Sequence, residues 1–133
     1  MEKSRLGFHH VALKCKDFEK SIAFYRAIGL EEYARWNGGA RDIALMKMSD
    51  GGMIELFSDG GDMYPEEGKY VHFAIASHDV EGDYERALKA GATPHIAPKT
   101  VVPGSLPVAL SLHLAFVKGP DGEQIEFIES TEI

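Results

Sequence analysis

The chain repeats its own pattern at a spacing of 62 residues, and this duplication constrains the fold more than any other feature. Identical residues recur at that offset: His10 with His72, Asp17 with Asp79, and Gly29 with Gly91. At an offset of 71 residues, DGGMIELF (50–57) aligns with DGEQIEFI (121–128). The second half therefore contains an insertion, which we place in the Pro/Gly-containing segment 98–107. Whether that segment is a lid is open at this stage.

Each half has the same predicted order of elements, strand–helix–strand–strand–strand. Residues 7–15 and 69–77 have the apolar pattern of first strands. The helices that follow have the same predicted capping residues in both halves. Asp17 and Asp79 stand where N-caps are expected, and Gly29 and Gly91 where a helix ends with a left-handed residue.

The remaining three strands of each half are predicted from turns and apolar runs. In the first half, a hairpin turns at NGGA (37–40), and GMIELF follows an Asp-Gly turn. In the second half, we expect strands around 93–97, 107–118 and 123–129. The prediction is an α+β domain over 1–133, built from a βαβββ module at 5–58, a linker at 59–68 and a second βαβββ module at 69–130.

Composition excludes several classes of function. The formal net charge of −7 argues against nucleic acid as a partner, since phosphate contacts need clustered Lys and Arg. The chain shows neither the apolar core of a secretory signal nor a run long enough to span a bilayer, so we expect no membrane partner. Its single cysteine, Cys15, suits a reducing cytoplasm and a buried structural role.

Four polar residues stand out because the repeat pairs them: His10 with His72, and Glu55 with Glu126. Each Glu lies within an apolar strand, between Ile and Leu or Phe, where an unpaired carboxylate is expensive to bury. The alternative is a carboxylate on the wet face of a half-exposed sheet. Two imidazoles and two carboxylates are, however, a ligand set for a divalent transition metal, and their duplication favours that interpretation.

The other histidines have no histidine counterpart in the repeat. His9 aligns with Val71, so we expect it on the strand face opposite His10, in a packing or surface role. His78 and His95 default to surface or core positions. The facing of His113 is undecided by the sequence.

Three segments, HHVALKCKDFEKSIAFYRAIGL, YVHFAIASHDV and GPDGEQIEFIE, resemble the vicinal oxygen chelate superfamily, most closely its short glyoxalase I (lactoylglutathione lyase) branch. The resemblance covers about 6–129. It implies two βαβββ modules whose mixed sheets curl around a metal cleft. It also implies a homodimer in which His10 and Glu55 of one chain face His72 and Glu126 of the other.

The resemblance further implies an activity. A glyoxalase I-type lyase/isomerase converts a hemithioacetal of an α-oxoaldehyde such as methylglyoxal into a 2-hydroxyacyl thioester, through an enediolate. One divalent ion (Ni, Co, Zn or Mn) would be held by His10, Glu55, His72 and Glu126. By analogy, Glu126 is the predicted base, and Glu55 shares the proton transfer.

Substrate contacts are predicted where the chain departs from the family. Short glyoxalases carry Arg and Asn at the positions of Lys14 and Asp59, where both contact glutathione. Asp59 would repel a carboxylate-rich thiol, so the identity of the thiol is left open. Arg35, Trp36 and Arg41 flank the hairpin turn, and we expect them either to contact an anionic substrate or to form a solvated tip; Lys14, Trp36, Arg41 and Asp59 are the substrate-binding candidates.

Two alternatives are left open. A CoA-thioester epimerase of the same superfamily would use similar acid–base chemistry, although epimerases have Gln where this chain has Glu55. A non-catalytic, resistance-type protein would bind a small molecule without a tightly held metal.

Overall fold

The computed structural model describes residues 8–61 and 72–133. The chain divides into two compact units, Met1–Tyr64 and Pro65–Ile133, which are described separately below. The N-terminal residues of the first predicted module and most of the predicted linker lie outside the described residues, so the proposed module and linker bounds stay predictions.

The first unit has the order βαβββ. Its elements are β1 (His10–Lys14), α1 (Phe18–Ala27), β2 (Glu31–Asn37), β3 (Asp42–Lys47) and β4 (Met53–Phe57). They form a four-stranded mixed sheet in the order β1-β4-β3-β2, in which β1 and β4 are parallel and the other pairs antiparallel.

The second unit repeats this arrangement. Its elements are β5 (Phe73–Ala76), α2 (Val80–Lys89), β6 (Thr93–Val101), β7 (Leu112–Lys118) and β8 (Gln124–Glu129). Their sheet order is β5-β8-β7-β6, with the parallel pair again between the first and last strands of the unit. The α+β fold of two βαβββ modules predicted from the sequence is therefore confirmed.

Both helices begin and end as their sequences indicate. The Asp17 side chain accepts a hydrogen bond from the Lys20 backbone N–H, and the Asp79 side chain accepts one from Gly82. Gly29 and Gly91 follow the helices with φ of 114° and 106°, a conformation that favours glycine because a Cβ would be strained there.

Each sheet has one face covered by its helix and one face open within its unit. In the first unit, Leu13, Ile54 and Leu56 are buried on the helix side, whereas His10 and Lys14 alternate with them and are exposed. The open face is therefore where polar side chains of β1 and β4 are presented.

The strands of the second unit differ from the prediction in their bounds. β6 runs to Val101 rather than ending near 97, and β7 begins at Leu112 rather than near 107. Two bulges in β6 let the strand continue through residues 98–101, which the Pro/Gly content had suggested were loop. The irregular connection is instead 102–111, where the Ser105 hydroxyl donates to the Val108 carbonyl and accepts from the Leu110 N–H.

Among residues 8–61 and 72–133, none of the helices has both the length and the apolar character needed to cross a bilayer.

Candidate metal centre

The first histidine–glutamate pair lies on the open face of the first sheet. Because β1 and β4 are parallel neighbours with Ala12 opposite Glu55, His10 and Glu55 project from the same face. The His10 Nε2 atom lies 3.7 Å from Glu55 Oε1, and the two side chains are 40% and 19% exposed. The imidazole of His10 and the carboxylate of Glu55 are therefore neighbours within this unit.

The second pair has the same construction and is more enclosed. Ala74 lies opposite Glu126 in the parallel β5–β8 pair, which brings His72 and Glu126 together. Their Nε2 and Oε1 atoms are 3.2 Å apart, and the Glu126 side chain is only 9% exposed. The His72 ring also packs edge-on against Phe116 of β7, with centroids 4.9 Å apart.

The spacing within each pair fits adjacent ligands of one ion. Nitrogen and oxygen ligands about 2.1 Å from an ion lie about 3.0 Å apart at right angles and about 3.4 Å apart at the tetrahedral angle. The His72–Glu126 separation of 3.2 Å falls within this range, and the His10–Glu55 separation of 3.7 Å is a few tenths of an ångström wider. The donor types and the spacing therefore suit a borderline divalent metal such as Ni, Co or Zn.

Each unit by itself brings together two candidate ligands. Within the part of the chain that the structure describes, no group of three or more His, Cys, Asp or Glu side chains is arranged to hold an ion. The four-ligand site stays a prediction, and so does the assignment of its residues.

Three charged residues meet beside the first pair. The Asp59 carboxylate lies 3.7 Å from Lys14 Nζ and 3.4 Å from an Arg41 guanidinium nitrogen. The Arg41 guanidinium in turn stacks 3.9 Å from the centre of the Phe57 ring, which shares the open face with Glu55 two residues earlier in β4. We call these three residues, Lys14, Arg41 and Asp59, the cationic cluster, because together they carry one excess positive charge.

The position of Asp59 depends on a close backbone contact. The next residue, Gly60, donates its N–H to the Cys15 carbonyl at 3.0 Å, and a Cβ at Gly60 would lie 2.6 Å from the Cys15 carbonyl carbon. Only glycine allows this approach, which holds Asp59 near Lys14. Asp59 is thus neutralised by two cations and is not the isolated repulsive charge expected from the sequence.

The two neighbours Arg35 and Trp36 lie on opposite faces of the first sheet. Trp36 is opposite Ile43, which is opposite Phe57, so the half-exposed indole shares the open face. Arg35 lies on the helix side, where it donates to Glu19 of α1 and to Glu32. These hydrogen bonds raise the pKa of Arg35, and the bond to Glu19 has the larger effect. Strand alternation therefore directs Arg35 to the helix, which disfavours the first of its two expected roles, contact with substrate.

His113 also lies on a helix side, in the second unit. Its Nε2 lies 2.6 Å from Glu81 in the first turn of α2, and its Nδ1 lies 3.0 Å from the Thr100 hydroxyl. The hydrogen bond to His113 lowers the pKa of Glu81. This histidine ties α2 to the sheet and lies on the face away from His72 and Glu126.

Sequence reasoning missed the aromatic and imidazole neighbours of the site. Phe57 supports Arg41, Phe116 contacts His72, and the His9 ring reaches His10 with the two Nδ1 atoms 2.9 Å apart. Strict alternation placed His9 on the other face, but His9 precedes β1 and its ring lies beside that of His10. Phe57 could have been predicted, because it lies two residues after Glu55 in the same strand and therefore shares its face.

Comparison with known proteins identifies the family. Residues 7–127 match the family model described as the Glyoxalase/Bleomycin resistance protein/Dioxygenase superfamily. The match covers most of the chain, and this protein belongs to that superfamily. The resemblance inferred from the three sequence segments is thereby confirmed.

Two individual relatives are similar to this chain over nearly its whole length. A probable lactoylglutathione lyase of Vibrio cholerae is 31% identical over 130 residues, which cover 92% of this chain and 90% of the relative. Uncharacterized protein YwbC of Bacillus subtilis is 28% identical over 125 residues, covering 90% of this chain and 94% of the relative.

The fold recurs in a solved structure of glyoxalase I from Zea mays. That structure superposes with a TM-score of 0.76 at 24% sequence identity, covering 91% of this chain and 43% of the maize chain. This chain therefore spans less than half of the maize protein, and the likeness concerns the fold alone.

Proposed function

We propose that this protein is a metal-dependent lyase/isomerase of the glyoxalase I type, acting on the hemithioacetal formed by an α-oxoaldehyde and a thiol. The observation that carries the proposal is the duplicated His/Glu pair. Both pairs lie on open sheet faces at spacings of 3.7 and 3.2 Å, which suit adjacent metal ligands.

The proposed ligands are His10, Glu55, His72 and Glu126, one pair from each unit. As the family resemblance implies, the pairs would complete one another across a homodimer, so that each site holds one divalent ion, Ni, Co, Zn or Mn. When bound, such an ion supplies Lewis-acid stabilisation of negative charge on neighbouring substrate oxygens. The enzyme is expected to work in the cytoplasm.

Glu126 is the best-placed base of the two carboxylates. Its side chain is 9% exposed, against 19% for Glu55, so water competes less for its oxygens. In the proposed reaction Glu126 takes the proton from the carbon that bears the hydroxyl and the sulfur. The electron pair of that C–H bond moves toward the neighbouring carbonyl. The proton returns to the adjacent carbon, with Glu55 able to share this second transfer. The hydroxyl proton passes from the oxygen of the first carbon to the oxygen of the second, so the product is the 2-hydroxyacyl thioester and no atom is gained or lost.

The cationic cluster supports an anionic thiol as the cosubstrate. Lys14 and Arg41 are 58% and 36% exposed at their side chains, so both retain accessible donors while contacting Asp59. A carboxylate or phosphate of the thiol would bind there by charge-assisted hydrogen bonds. Phe57 and Trp36 provide apolar surface on the same face.

Glu55 favours this activity over the epimerase alternative. The epimerases that the sequence resembles have an amide at this position, which is a poorer metal ligand and no base. A resistance-type binding protein, in turn, needs neither carboxylate as a ligand.

The test is metal analysis followed by activity. The purified protein should hold about one divalent ion per chain by elemental analysis. The metal-loaded protein should form thioester from methylglyoxal with glutathione, bacillithiol or coenzyme A, followed by the ultraviolet absorbance of the product. Loss of metal in a His10→Ala/His72→Ala variant would support the proposal. A metal-loaded protein that is inactive with all three thiols would refute it.

Arg41 and Arg35 form a matched pair for the substrate subsite. Both border the same hairpin turn, but only Arg41 lies at the cationic cluster. Arg41→Gln should raise KM for the anionic thiol adduct, on the order of tenfold for one lost charge-assisted contact, whereas Arg35→Gln should leave KM unchanged. Equal KM values in the two variants would remove the cationic cluster from substrate binding.

A further inference from the structure

The rings of the adjacent residues His9 and His10 contact each other through nitrogen atoms. Their Nδ1 atoms are 2.9 Å apart, and the rings meet edge to face with centroids 5.2 Å apart. The backbone of His9 is fixed as well, since its carbonyl accepts a hydrogen bond from Met53 at the start of β4, at 3.2 Å. The position of the His9 ring is thus tied to the strand that carries Glu55.

This contact restricts the tautomers of both rings. At 2.9 Å, one Nδ1 must carry the hydrogen and the other must accept it. If His10 donates, its Nε2 has a free lone pair directed toward Glu55. If His10 accepts, its hydrogen is on Nε2, where Glu55 is 3.7 Å away and too distant for a hydrogen bond. Only the first arrangement leaves Nε2 able to bind a metal, and in that arrangement His9 is the acceptor of the His10 hydrogen.

We propose that His9 is a positioning residue for the metal ligand His10. It accepts the Nδ1–H of His10 and thereby presets both the ring orientation and Nε2 as the ligand atom. This inference rests on the proposed function, because a preset ligand matters only if a metal binds. Hydrogen bonds of this kind to metal-binding histidines orient the ring and increase its basicity.

The two half-sites differ in this respect. The repeat counterpart of His9 is Val71, which has no side-chain acceptor, and the His72 ring instead packs against Phe116. Removing the His9 acceptor should therefore weaken only the first half-site.

The tautomer of His10 can be read without any metal. In metal-free protein carrying ¹⁵N-labelled histidine, long-range proton–nitrogen correlations should show His10 with its hydrogen on Nδ1. His9→Phe should convert it to a mixture of tautomers, whereas His9→Asn should preserve it, because the amide oxygen lies near the position of the lost nitrogen. A hydrogen on Nε2 in the wild type, or no change in His9→Phe, would overturn the inference.

Metal affinity gives a second readout. In competition with a chromophoric chelator, His9→Phe should bind Ni or Co about 10–100-fold more weakly, as found for lost outer-sphere partners. His9→Asn should retain most of the affinity, and the exposed control His78→Phe all of it. Wild-type affinity in His9→Phe would refute the inference. Absence of metal binding in the wild type would instead refute the proposed function, while the tautomer experiment would still decide whether His9 orients His10.

Discussion

Glu126 provides the sharpest test of the metal centre, because a ligand and a structural carboxylate respond differently to the same substitution. In Glu126→Gln the side chain keeps its shape and loses its charge. Without metal, the only cation-forming neighbour described for Glu126 is His72, which is 35% exposed and stays in contact with water when the carboxylate is removed. We therefore expect the metal-free free energy of unfolding to change by less than about 1 kcal/mol.

In the presence of metal, Glu126→Gln should lose most of the stabilisation that metal binding gives to the wild type. At a free metal concentration about 100 times the wild-type Kd, binding stabilises the native state by about 2.7 kcal/mol. Loss of a direct ligand should weaken affinity by at least the ~100-fold found at the upper end for outer-sphere partners. At the same concentration the variant then gains only about 0.4 kcal/mol. Chemical denaturation with and without metal measures both numbers.

Glu123 is the matched control, three residues earlier and equally buried. Its carboxylate accepts the Asp121 backbone N–H at 2.8 Å, which is a structural role. Glu123→Gln should cost about 1 kcal/mol without metal and leave the metal increment intact. The reasoning is refuted if Glu126→Gln loses more than about 2 kcal/mol without metal and keeps the full increment.

Three further predictions concern the fold. Leu56→Ala, at a fully buried position, should lower the free energy of unfolding by about 2–5 kcal/mol in chemical denaturation. Asp79→Ala removes the N-cap that accepts from Gly82 and should cost about 0.5–2 kcal/mol, with fraying of α2 visible in amide hydrogen exchange. Glu32→Gln should cost about 0.5–1 kcal/mol at pH 7, because hydrogen bonding from Arg35, the largest cause, lowers the pKa of Glu32.

The Glu32 prediction has a definite pH dependence. A carboxylate with a lowered native pKa contributes stability that is complete above about pH 4.5, its ordinary value, and is lost as the pH falls through the lowered pKa. The difference between wild type and Glu32→Gln should therefore vanish in acid. A difference that persists or grows in acid would contradict the ion-pair explanation.

For Leu56 and Asp79, the exposed substitutions Lys20→Ala and Glu85→Ala serve as controls that should change the free energy of unfolding by less than about 0.5 kcal/mol.

Much of the fold and both His/Glu pairs follow from local patterns in the sequence. A two-residue period decides which side of a strand a residue occupies, and capping residues and glycines decide where a helix begins and ends. These rules placed α1, α2 and the hairpin of the first unit. They also placed His10 with Glu55 and His72 with Glu126, because the duplication showed which residues share a role.

The failures of prediction have a common physical origin. Substrate contact was one of the two roles expected for Arg35 from its place near the turn, but its partners Glu19 and Glu32 are on the helix side. Residues 98–101 were predicted to be loop from their sequence. In the structure they belong to β6, because β6 continues to pair with β7 across two bulges. In both cases contacts between residues distant in sequence overrode a local signal.

By itself, the sequence determined that this protein is a duplicated βαβββ fold with one imidazole and one carboxylate in each copy, since periodicity and repetition are properties of the chain alone. Only the tertiary structure decided that Asp59 is neutralised by Lys14 and Arg41, and that the His9 ring reaches His10. Those contacts depend on a tight turn against Cys15 and on the reach of side chains beyond a strand end. No residue spacing encodes either of them.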